Sequence, residues 1–430
     1  MFTPRRVLAG LVGALIALTT VPASADPLAH AAPPATADRP DTGMDLERRL
    51  DRALRAIVRA GAVGVVARVQ GPGQSWRGAA GRADLHPRRP ALKTARFRAA
   101  SVNKQLTAVL ALKLVERGTW SLDTTIDDVL PGLWPGRGQI TLRQLMSHTS
   151  GMPDYLPVLL KDATTARALV DVISRQRTNR ELVRTARTQE WLFEPGTDMS
   201  YSNTNFVVVG MMLKEETGRP MPLLVRNRIL RPVGMNDSRF ATGRRLPGPA
   251  LREYGVIGGK RVDMRRFHPS IFSSAGALVT TTRDLNDFQR ALSRGRLIGP
   301  DLLGRMRSVI GRDPEAGLDY GLGSFRIPDP CREGRFVHGH DGATWGTLTL
   351  SFASRDGRRR MTVAMTGRDL DGRVASSRAL GRFVVRALAA TCGRAPDSVR
   401  GLERGPSLGY QTGLDLGSLT ADGDPDGLTG

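Results

Sequence analysis

The spacing of apolar positions predicts a helix and a strand hairpin where the folded part of the chain begins. Apolar residues recur at helical spacing over residues 45–60, a pattern typical of an amphipathic helix. The apolar, valine-rich run at residues 63–69 is followed, after the glycine-rich break at 71–73, by a second strand-like run. Two such runs around a short break predict a β-hairpin.

A second hairpin is predicted near the carboxyl end. The apolar runs at 348–352 and 361–365 flank the turn-forming residues 354–358, and a helix follows at about 376–390. Between the two hairpins, residues 101–260 are mostly helical by pattern, with glycine and proline breaks. The pattern predicts an α+β fold: an antiparallel sheet formed by both chain ends, flanking helices and an inserted, mostly helical subdomain.

The first 25 residues have the pattern of a secretory signal peptide. A basic start precedes an apolar run at 7–18, and residues 23–25 form an Ala-x-Ala site with cleavage expected after Ala25. About a dozen apolar residues are fewer than the roughly 20 that a membrane-spanning helix needs. We therefore expect a secreted protein whose mature chain has no transmembrane segment.

The segments on either side of the folded part show little periodicity. Residues 26–44 form an Ala- and Pro-rich leader, and residues 399–430 form an acidic tail rich in Gly and Asp, for which we predict disorder or removal. Residues 45–398 are predicted to form one composite domain, of which 101–260 is the helical insertion.

The chain contains two cysteines, Cys331 and Cys392. In an exported protein an even number of cysteines favours a disulfide, so we predict one bond between them. Two buried free thiols are the alternative. Two cysteine ligands are too few for a structural zinc site.

The charge balance is strongly basic: 63 Lys and Arg residues against 41 Asp and Glu give a formal net charge of +22, and only six of the basic residues are Lys. No basic cluster with interleaved aromatic residues is present, so nucleic-acid binding is not favoured. For a secreted chain we expect a weak, salt-sensitive attraction to anionic cell-wall polymers. Scattered arginines also fit the codon usage of a GC-rich genome. No motif for magnesium, haem or nucleotide binding is present, and we predict neither a cofactor nor a metal.

The segment Ser101-Val102-Asn103-Lys104 places a hydroxyl and an amine at the start of a strongly apolar helix. Residues i and i+3 share a helix face, so the Lys104 amine can reach the Ser101 hydroxyl. A serine is a poor nucleophile unless a neighbour takes its proton, and a buried lysine with a lowered pKa can do so. The helix amino terminus also favours a developing oxyanion. Taken alone, the same motif fits an N-cap serine beside a surface lysine.

A second motif, Tyr201-Ser202-Asn203, is predicted to lie in an extended loop, where Tyr201 and Asn203 project to the same side. A phenol beside a lysine can act as a base and then as an acid, and an amide can anchor a substrate carbonyl. A tyrosine that packs on the core is the alternative for this motif taken alone.

The third motif, at residues 337–344, contains His340, Asp341 and Gly342 and opens a predicted edge strand. Its two histidines at i and i+2 lack a third ligand of matching spacing, so a metal site is not predicted. A glycine at position 342 allows the close approach of a substrate backbone, as an edge strand that binds a peptide requires.

In this order the three motifs resemble those of the serine penicillin-recognising enzymes, an S12-like peptidase family with a serine β-lactamase/transpeptidase-like fold. The Tyr-x-Asn and His-x-Gly variants resemble the branch of class C β-lactamases and DD-carboxypeptidases. The resemblance covers roughly residues 45–395 and looks most like the secreted D-alanyl-D-alanine carboxypeptidases of actinomycetes, which carry a matching cysteine pair. Further segments that resemble the family are 123–126, 130–132, 140–151, 201–210, 274–277, 320–323 and 352–357.

The resemblance implies a role for each motif residue. Ser101 would be the acylated nucleophile and Lys104 its proton partner. Tyr201 would pass the proton to the leaving group and later activate water, while Asn203 would hold the substrate amide. His340, in place of the lysine of other branches, would polarise the site near Tyr201.

The resemblance also implies an oxyanion hole formed by the backbone N–H groups of Ser101 and Ala343. An alanine suffices at position 343, because only its main chain is used. Gly342, directly before it, would lie against the bound substrate.

The sequence departs from the family where the substrate carboxylate binds. Asp341 and Ala343 stand where carboxypeptidases of this type have threonines, and an ionised Asp341 would repel a terminal carboxylate. Thr344 and Arg326 are the candidates to offset this loss. Arg326 lies one residue beyond the usual arginine position, which falls at Phe325.

The resemblance implies a secreted serine acyl-hydrolase that forms an acyl-enzyme on Ser101, most like a D-alanyl-D-alanine carboxypeptidase acting on peptidoglycan-type peptides. The departures leave room for an esterase, a β-lactamase or a D-aminopeptidase-like hydrolase. A non-catalytic cell-wall binder that keeps the fold is the alternative of a different class. A Ser-His pair at His148 has little support, since no Gly-x-Ser-x-Gly elbow is present.

Overall fold

The computed structural model of the protein describes residues 43–314, 317–372 and 375–393. The predicted signal peptide at 1–25, most of the leader at 26–44 and the acidic tail at 399–430 lie outside the described residues. Within the described ranges, no helix is both long enough and apolar enough to cross a membrane.

A nine-stranded antiparallel sheet is the centre of the described fold, and two smaller sheets accompany it. The strands are β1 Gly64–Gly71, β2 Gln74–Leu85, β3 Arg88–Pro90, β4 Phe97–Arg98, β5 Arg239–Phe240, β6 Tyr254–Ile257, β7 Lys260–Asp263, β8 Leu278–Thr280, β9 Gly311–Asp313, β10 Leu318–Tyr320, β11 Phe325–Pro328, β12 Phe336–Ala343, β13 Thr347–Ala353, β14 Arg360–Thr366 and β15 Arg368–Asp369. The main sheet has the order β3-β2-β1-β14-β13-β12-β11-β10-β9, and the smaller sheets have the orders β15-β6-β7 and β4-β8-β5.

The described helices flank the sheet or lie between its two ends in sequence. They are α1 Gly43–Arg59, α2 Asn103–Glu116, α3 Ile126–Val129, α4 Leu142–Ser147, α5 Tyr155–Leu160, α6 Ala166–Ser174, α7 Asn179–Ala186, α8 Asn203–Thr217, α9 Met221–Val225, α10 Arg231–Val233, α11 Ser273–Gly276, α12 Thr282–Ser293, α13 Pro300–Arg307 and α14 Ala375–Ala390. Short 3-10 turns occupy Ala100–Val102 and Pro269–Ile271, and Arg226–Leu230 forms a π-helical turn between α9 and α10.

The main sheet joins the two ends of the folded chain. β1 pairs antiparallel with β14, from Gly64 opposite Thr366 to Gln70 opposite Arg360. β1 with β2 and β13 with β14 form the two predicted hairpins. Helices α2 to α10 lie between them in sequence, so the predicted α+β fold class is confirmed.

Both faces of the sheet are buried against helices. The alternation of side chains along β1 places Val65 in a core with α1 and α14, and Val66 in a larger core that includes α2 and α8. On α1, Leu50 and Leu54 are almost fully buried. Burial of each such side chain contributes about 1.5–3 kcal/mol, which explains why the apolar spacing of α1 fixes which face packs on the sheet.

The strand that carries His340 is an edge strand over only half of its length. β12 pairs with β13 from His338 to Ala343, but with β11 only from Phe336 to Gly339. The prediction of an edge strand is therefore wrong for the first half of β12 and correct for the segment 340–343. Because β11 ends early, the backbone of that segment can accept a peptide or amide on its open side.

The two cysteines are bonded to each other. Cys331, in the loop between β11 and β12, and Cys392, just after α14, form a disulfide with their Cα atoms 6.0 Å apart. The predicted disulfide is present, and the alternative of two free thiols is excluded. The bond fixes the β11–β12 loop to the carboxyl end of α14.

Candidate active site

The candidate nucleophile Ser101 lies in the 3-10 turn directly before α2. Ala100 has a φ of 48°, in the left-handed region that residues with a side chain rarely adopt. Such a conformation costs on the order of 1 kcal/mol, and costs of this kind concentrate at functional sites. The turn packs against β12, and Ser101 is only 5% exposed.

Lys104, the second residue of α2, is fully buried and fixed on Ser101. Its Nζ donates to Ser101 Oγ at 2.9 Å, to Asn203 Oδ1 at 2.8 Å and to the Ala275 carbonyl oxygen at 3.2 Å. The alternative of a surface lysine is therefore excluded. Ser101, Lys104 and Asn203 form one hydrogen-bonded cluster, although Asn203 is the first residue of α8 rather than part of a loop.

The environment of Lys104 prepares it to accept a proton. Burial lowers the pKa of Lys104 from 10.5 to about 7, while the carboxylates of Asp154 and Asp341 act in the opposite direction. A base whose pKa lies near the working pH combines a populated neutral form with useful basicity. At neutral pH a large share of Lys104 is therefore uncharged and able to take the Ser101 proton.

Asp154 orients the amide of Asn203. One carboxylate oxygen, Oδ2, accepts from Asn203 Nδ2 at 2.8 Å and from the Asn203 backbone N–H at 3.2 Å. The other accepts from the backbone N–H of Leu156 at 3.0 Å and so caps α5. These hydrogen bonds orient the Asn203 amide so that its carbonyl oxygen accepts from Lys104. Burial raises the pKa of Asp154, while its hydrogen bonds and Lys104 lower it.

Tyr201 lies over Lys104 with a buried hydroxyl. The Lys104 Nζ is 4.8 Å from the centre of the Tyr201 ring. The phenol oxygen makes no well-formed hydrogen bond with the described residues, although the Ser101 hydroxyl is close enough to lower its pKa. Burial is the stronger effect and raises the pKa of Tyr201 well above 10. In the resting site Tyr201 is therefore a neutral phenol with a proton to give.

His148 supports Tyr201 rather than a serine. Its ring centre lies 4.2 Å from that of Tyr201, and its Nδ1 accepts the backbone N–H of Ser202 at 3.2 Å. Burial, Lys104 and His340 lower the pKa of His148 well below 6.5, so the ring is neutral. The nearby Ser147 hydroxyl donates to the Arg143 carbonyl oxygen instead. These contacts agree with the expectation that His148 does not form a catalytic pair with a serine.

His340 contacts Tyr320 and its own strand. Its Nδ1 lies 2.6 Å from the Asp341 carbonyl oxygen, which can only accept, so Nδ1 carries the proton. Its Nε2 then accepts from the Tyr320 hydroxyl at 2.8 Å. Burial is the main influence on His340 and lowers its pKa. The Tyr320 ring also lies 6.1 Å from that of Tyr201, so Tyr320 connects His340 to Tyr201.

Asp341 places a carboxylate at the catalytic end of β12, which is the end that lies against the Ser101 turn. Its side chain is 12% exposed, and its charge raises the pKa values of Lys104, Tyr201 and Tyr320. Arg368, which donates to the Thr344 carbonyl oxygen at 2.6 Å, is buried nearby. Burial lowers the pKa of Arg368 to about 10, and Asp341 opposes that effect.

Gly342 lies directly against the nucleophile turn. A Cβ at position 342 would be 2.2 Å from the Ala99 carbonyl oxygen and 2.8 Å from the Ser101 backbone nitrogen. The sequence interpretation assigned this space to a substrate backbone, but the protein's own backbone occupies it. Ala343 follows directly in β12, so the two residues predicted to form the oxyanion hole belong to segments in close contact.

Two residues of the predicted substrate-binding set are engaged elsewhere. The Thr344 hydroxyl donates to Glu253 Oε1 at 2.7 Å and accepts backbone N–H groups of the β12–β13 turn. Arg326 donates from Nε and Nη2 to Asp319 Oδ2 at 3.0 and 2.9 Å and lies 3.8 Å over the Phe336 ring. Asp319 lies opposite Arg326 in the sheet, so pairing across the strands holds its guanidinium there.

Sequence reasoning missed Asp154 and Tyr320 as members of the site and gave His148 no role in it. Tyr320 and His148 lie in segments that resemble the family, but neither belongs to one of the three motifs. Asp154 stands just before a short helix, which is an N-cap signal and indicates nothing about Asn203. Their roles depend on tertiary contacts, which spacing in the sequence does not reveal.

The assembled residues can perform acyl transfer through a serine ester. In such a reaction Ser101 would be the nucleophile, Lys104 the group that removes its proton, and Tyr201 the buried acid beside them. A family model described as beta-lactamase matches residues 50–386 of this chain. The chain belongs to the beta-lactamase family. Membership of the beta-lactamase family confirms the resemblance seen in its motifs.

Relatives in the beta-lactamase family differ in substrate. Esterase EstB of Burkholderia gladioli is 31% identical over 74% of this chain and 86% of its own length. A D-aminopeptidase of Cereibacter sphaeroides is 29% identical over 74% of this chain. The solved structure of a D-stereospecific amidohydrolase from Streptomyces is 31% identical, with a TM-score of 0.68, and covers 75% of this chain and 94% of its own. The chain spans about three fifths of the length of the first curated relatives that it matches.

Proposed function

We propose that this chain is a serine hydrolase that cleaves amides or esters that carry an amine near the scissile bond, with D-amino acid amides as the preferred class. The observation behind the proposal is the Asp341 carboxylate at the catalytic end of β12, where its charge reaches Lys104 and Tyr201. A carboxylate there attracts a substrate ammonium and repels a substrate carboxylate. The names of two relatives, D-aminopeptidase and D-stereospecific amidohydrolase, support the same class.

The surroundings of Asp341 fit this role. The positive charge of Arg368 offsets part of the cost of burying the carboxylate. Arg326, the other candidate for binding a substrate carboxylate, has its guanidinium on Asp319. A substrate amine can therefore bind Asp341 without competing with Arg326.

The proposed reaction follows from the hydrogen bonds of the cluster. Lys104 accepts the Ser101 proton as Oγ attacks the substrate carbonyl carbon, and the backbone N–H groups of Ser101 and Ala343 stabilise the oxyanion. Tyr201 gives its proton to the leaving nitrogen as the C–N bond breaks, and regains one from Lys104. Water then attacks the Ser101 ester and gives up a proton through Tyr201, which releases the acid and restores the serine.

An Asp341→Asn variant tests the substrate class. Loss of a charged hydrogen bond of about 1.5–3 kcal/mol should lower kcat/KM for D-phenylalanine amide by about 10- to 150-fold, mainly through KM. Hydrolysis of p-nitrophenyl acetate, which has no amine, should change by less than about threefold. Ser101→Ala should abolish both reactions. Equal losses on both substrates, or no hydrolysis of D-amino acid amides by the wild type, would contradict the proposal.

The carboxypeptidase prediction has less support from this geometry, because its substrate ends in a carboxylate that Asp341 repels. The observation that would restore it is D-alanine release from a diacyl-Lys-D-Ala-D-Ala peptide, together with covalent labelling by fluorescent penicillin that Ser101→Ala abolishes. Hydrolysis of esters alone would favour an esterase. A chain without any Ser101-dependent turnover would be the non-catalytic cell-wall binder.

The pH dependence should report the pKa of Lys104. The neutral amine increases as pH rises through about 7, so kcat/KM should rise about tenfold per pH unit below that value and level off above it. The Asp154 carboxylate raises the pKa of Lys104, so Asp154→Asn should shift the inflection to lower pH. Asp301→Asn, an exposed change on α13, is the control that should leave it in place. An inflection unmoved by Asp154→Asn would assign it to another group.

We further propose that the protein is exported after cleavage near Ala25. The basic and apolar pattern of residues 1–25 supports export, and the bond between Cys331 and Cys392 fits an oxidising compartment. Amino-terminal sequencing of the protein from the culture medium tests the cleavage site. Recovery of the uncleaved chain from inside the cells would contradict export.

A further inference from the structure

A polar cavity, which we call the arginine cleft, lies at the other end of β12 from Gly342. It has a volume of 940 Å³ and is bounded by α13, the end of α12, the β11–β12 loop and the β13–β14 turn. The residues assigned to the reaction do not line it. His338, on its wall, is four residues from Gly342, which corresponds to about 13 Å along a strand. The arginines that line it are Arg307, Arg326, Arg332, Arg335, Arg355 and Arg359.

Carboxylates neutralise only part of this positive charge. Arg359 pairs with Asp329, and Arg326 pairs with Asp319. Three exposed arginines form no ion pair with any residue that the structure describes: Arg332, Arg335 and Arg355. Asp356 also lines the cavity, but six arginines exceed the three carboxylates of Asp319, Asp329 and Asp356, and an anion would relieve the remaining repulsion between the arginines.

The Arg307 guanidinium lies in the wall of the cleft. Its guanidinium donates to two uncharged acceptors, the Arg355 carbonyl oxygen at 2.9 Å and Ser293 Oγ at 2.7 Å. Burial, and then the like charge of Arg355, lower the pKa of Arg307 to about 10. A partly buried cation that lacks a carboxylate contact is costly, so a bound anion would stabilise this wall.

A buried, unpaired polar atom also lies on this wall. The Nδ1 of His338 is buried and has no hydrogen-bond partner among the described residues. His338 lies opposite Arg326 in the pairing of β11 with β12. Burial and the neighbouring arginines lower the pKa of His338 to about 3, so its ring is neutral. Buried polar atoms are rarely left without a partner, so this part of the wall is not fully satisfied by the described residues.

We propose that the arginine cleft binds a linear polyanion built from phosphate groups. Four arginines without carboxylate partners exceed the charge of one phosphate, and the guanidinium group binds phosphate oxygens in pairs. The cavity volume of 940 Å³ is large enough to hold several linked groups. The disulfide at Cys331 anchors the backbone of the loop that carries Arg332 and Arg335 beside the cleft.

Binding of inorganic tripolyphosphate to the full chain, measured by calorimetry at low ionic strength, tests the cleft. The triple variant Arg332→Gln, Arg335→Gln and Arg355→Gln should raise Kd at least about tenfold. A control triple variant changes the same amount of charge at exposed arginines on α6, on α7 and between them: Arg167→Gln, Arg175→Gln and Arg180→Gln. It should change Kd by less than about twofold.

Two further measurements separate the outcomes. Ser101→Ala should bind tripolyphosphate like the wild type, so the result does not depend on the proposed enzyme activity. Orthophosphate should bind much more weakly than tripolyphosphate, since it contacts fewer arginines. No binding by the wild type, or equal loss in both triple variants, would overturn the proposal; the latter would mean that general surface charge attracts the anion.

Discussion

Replacing Lys104 with methionine should lower the rate of Ser101 acylation by about 10⁴-fold. Methionine keeps much of the length of the buried side chain but offers no amine to take the Ser101 proton. In the described structure, Lys104 Nζ is the group that hydrogen-bonds Ser101 Oγ, at 2.9 Å. Single-turnover release of p-nitrophenol from p-nitrophenyl acetate measures this step, because p-nitrophenol leaves as Ser101 is acylated and the substrate has no amine that would bind Asp341.

Lys104→Arg is the matched variant for this experiment. It keeps a cation next to Asn203, but a guanidinium does not lose its proton at accessible pH and cannot act as a base. We expect a comparable loss of rate, which would show that proton transfer and not charge is the essential property. Thermal unfolding of both variants reports whether the fold is retained. A folded Lys104→Met protein with more than about a tenth of the wild-type rate would mean that another group accepts the proton.

Local patterns predicted those parts of the fold that depend on neighbouring residues in sequence. The apolar spacing of residues 45–60 predicted α1, and the paired runs around 354–358 predicted the β13–β14 hairpin. These features are local, because helix and hairpin formation depend on periodicity and turn chemistry. The pairing of β1 with β14 agrees with the predicted sheet formed by both chain ends, because two hairpins share one sheet only if a strand of one pairs with a strand of the other.

Only part of the candidate site consists of residues that are close together in sequence. Ser101 and Lys104 are three residues apart, so helix geometry alone predicts their contact. Tyr201, Asn203 and His340 are distant in sequence, and the family resemblance rather than spacing brought them to the same site. Motifs mark residues that act on substrate. They do not mark residues such as Asp154, which acts by holding the Asn203 amide and by its charge near Lys104.

The failures of the sequence reasoning share a physical cause, which is competition from the protein's own groups. Arg326 was a candidate for a substrate carboxylate, but Asp319 across the sheet binds its guanidinium. Gly342 was thought to make room for substrate, but the nucleophile turn fills that space. The even scatter of arginines in sequence likewise hid the arginine cleft, since its members come together only when α13, β11 and two loops meet.

Gly342→Ala should lower kcat/KM by about 100-fold while most of the fold is kept. The added Cβ would lie 2.2 Å from the Ala99 carbonyl oxygen and 2.8 Å from the Ser101 nitrogen. Both are backbone atoms, so a change of rotamer cannot relieve the contact, and the turn or β12 must move. A displacement of about 1 Å at a catalytic group costs on the order of 10²-fold in rate. Overpacking of this kind costs about 1–3 kcal/mol in stability.

Gly304→Ala is the control that separates geometry from the general effect of adding a methyl group. Position 304 lies in α13, and a Cβ there would meet nothing within 4 Å. Alanine in a helix stabilises by about 0.5–1 kcal/mol relative to glycine, so this variant should keep full activity and unfold at the same or a higher temperature. Steady-state rates and thermal unfolding of both variants test the contrast. Full activity of Gly342→Ala would mean that the nucleophile turn can shift without disturbing the Ser101–Lys104 contact, and the close packing of β12 would then have no catalytic role.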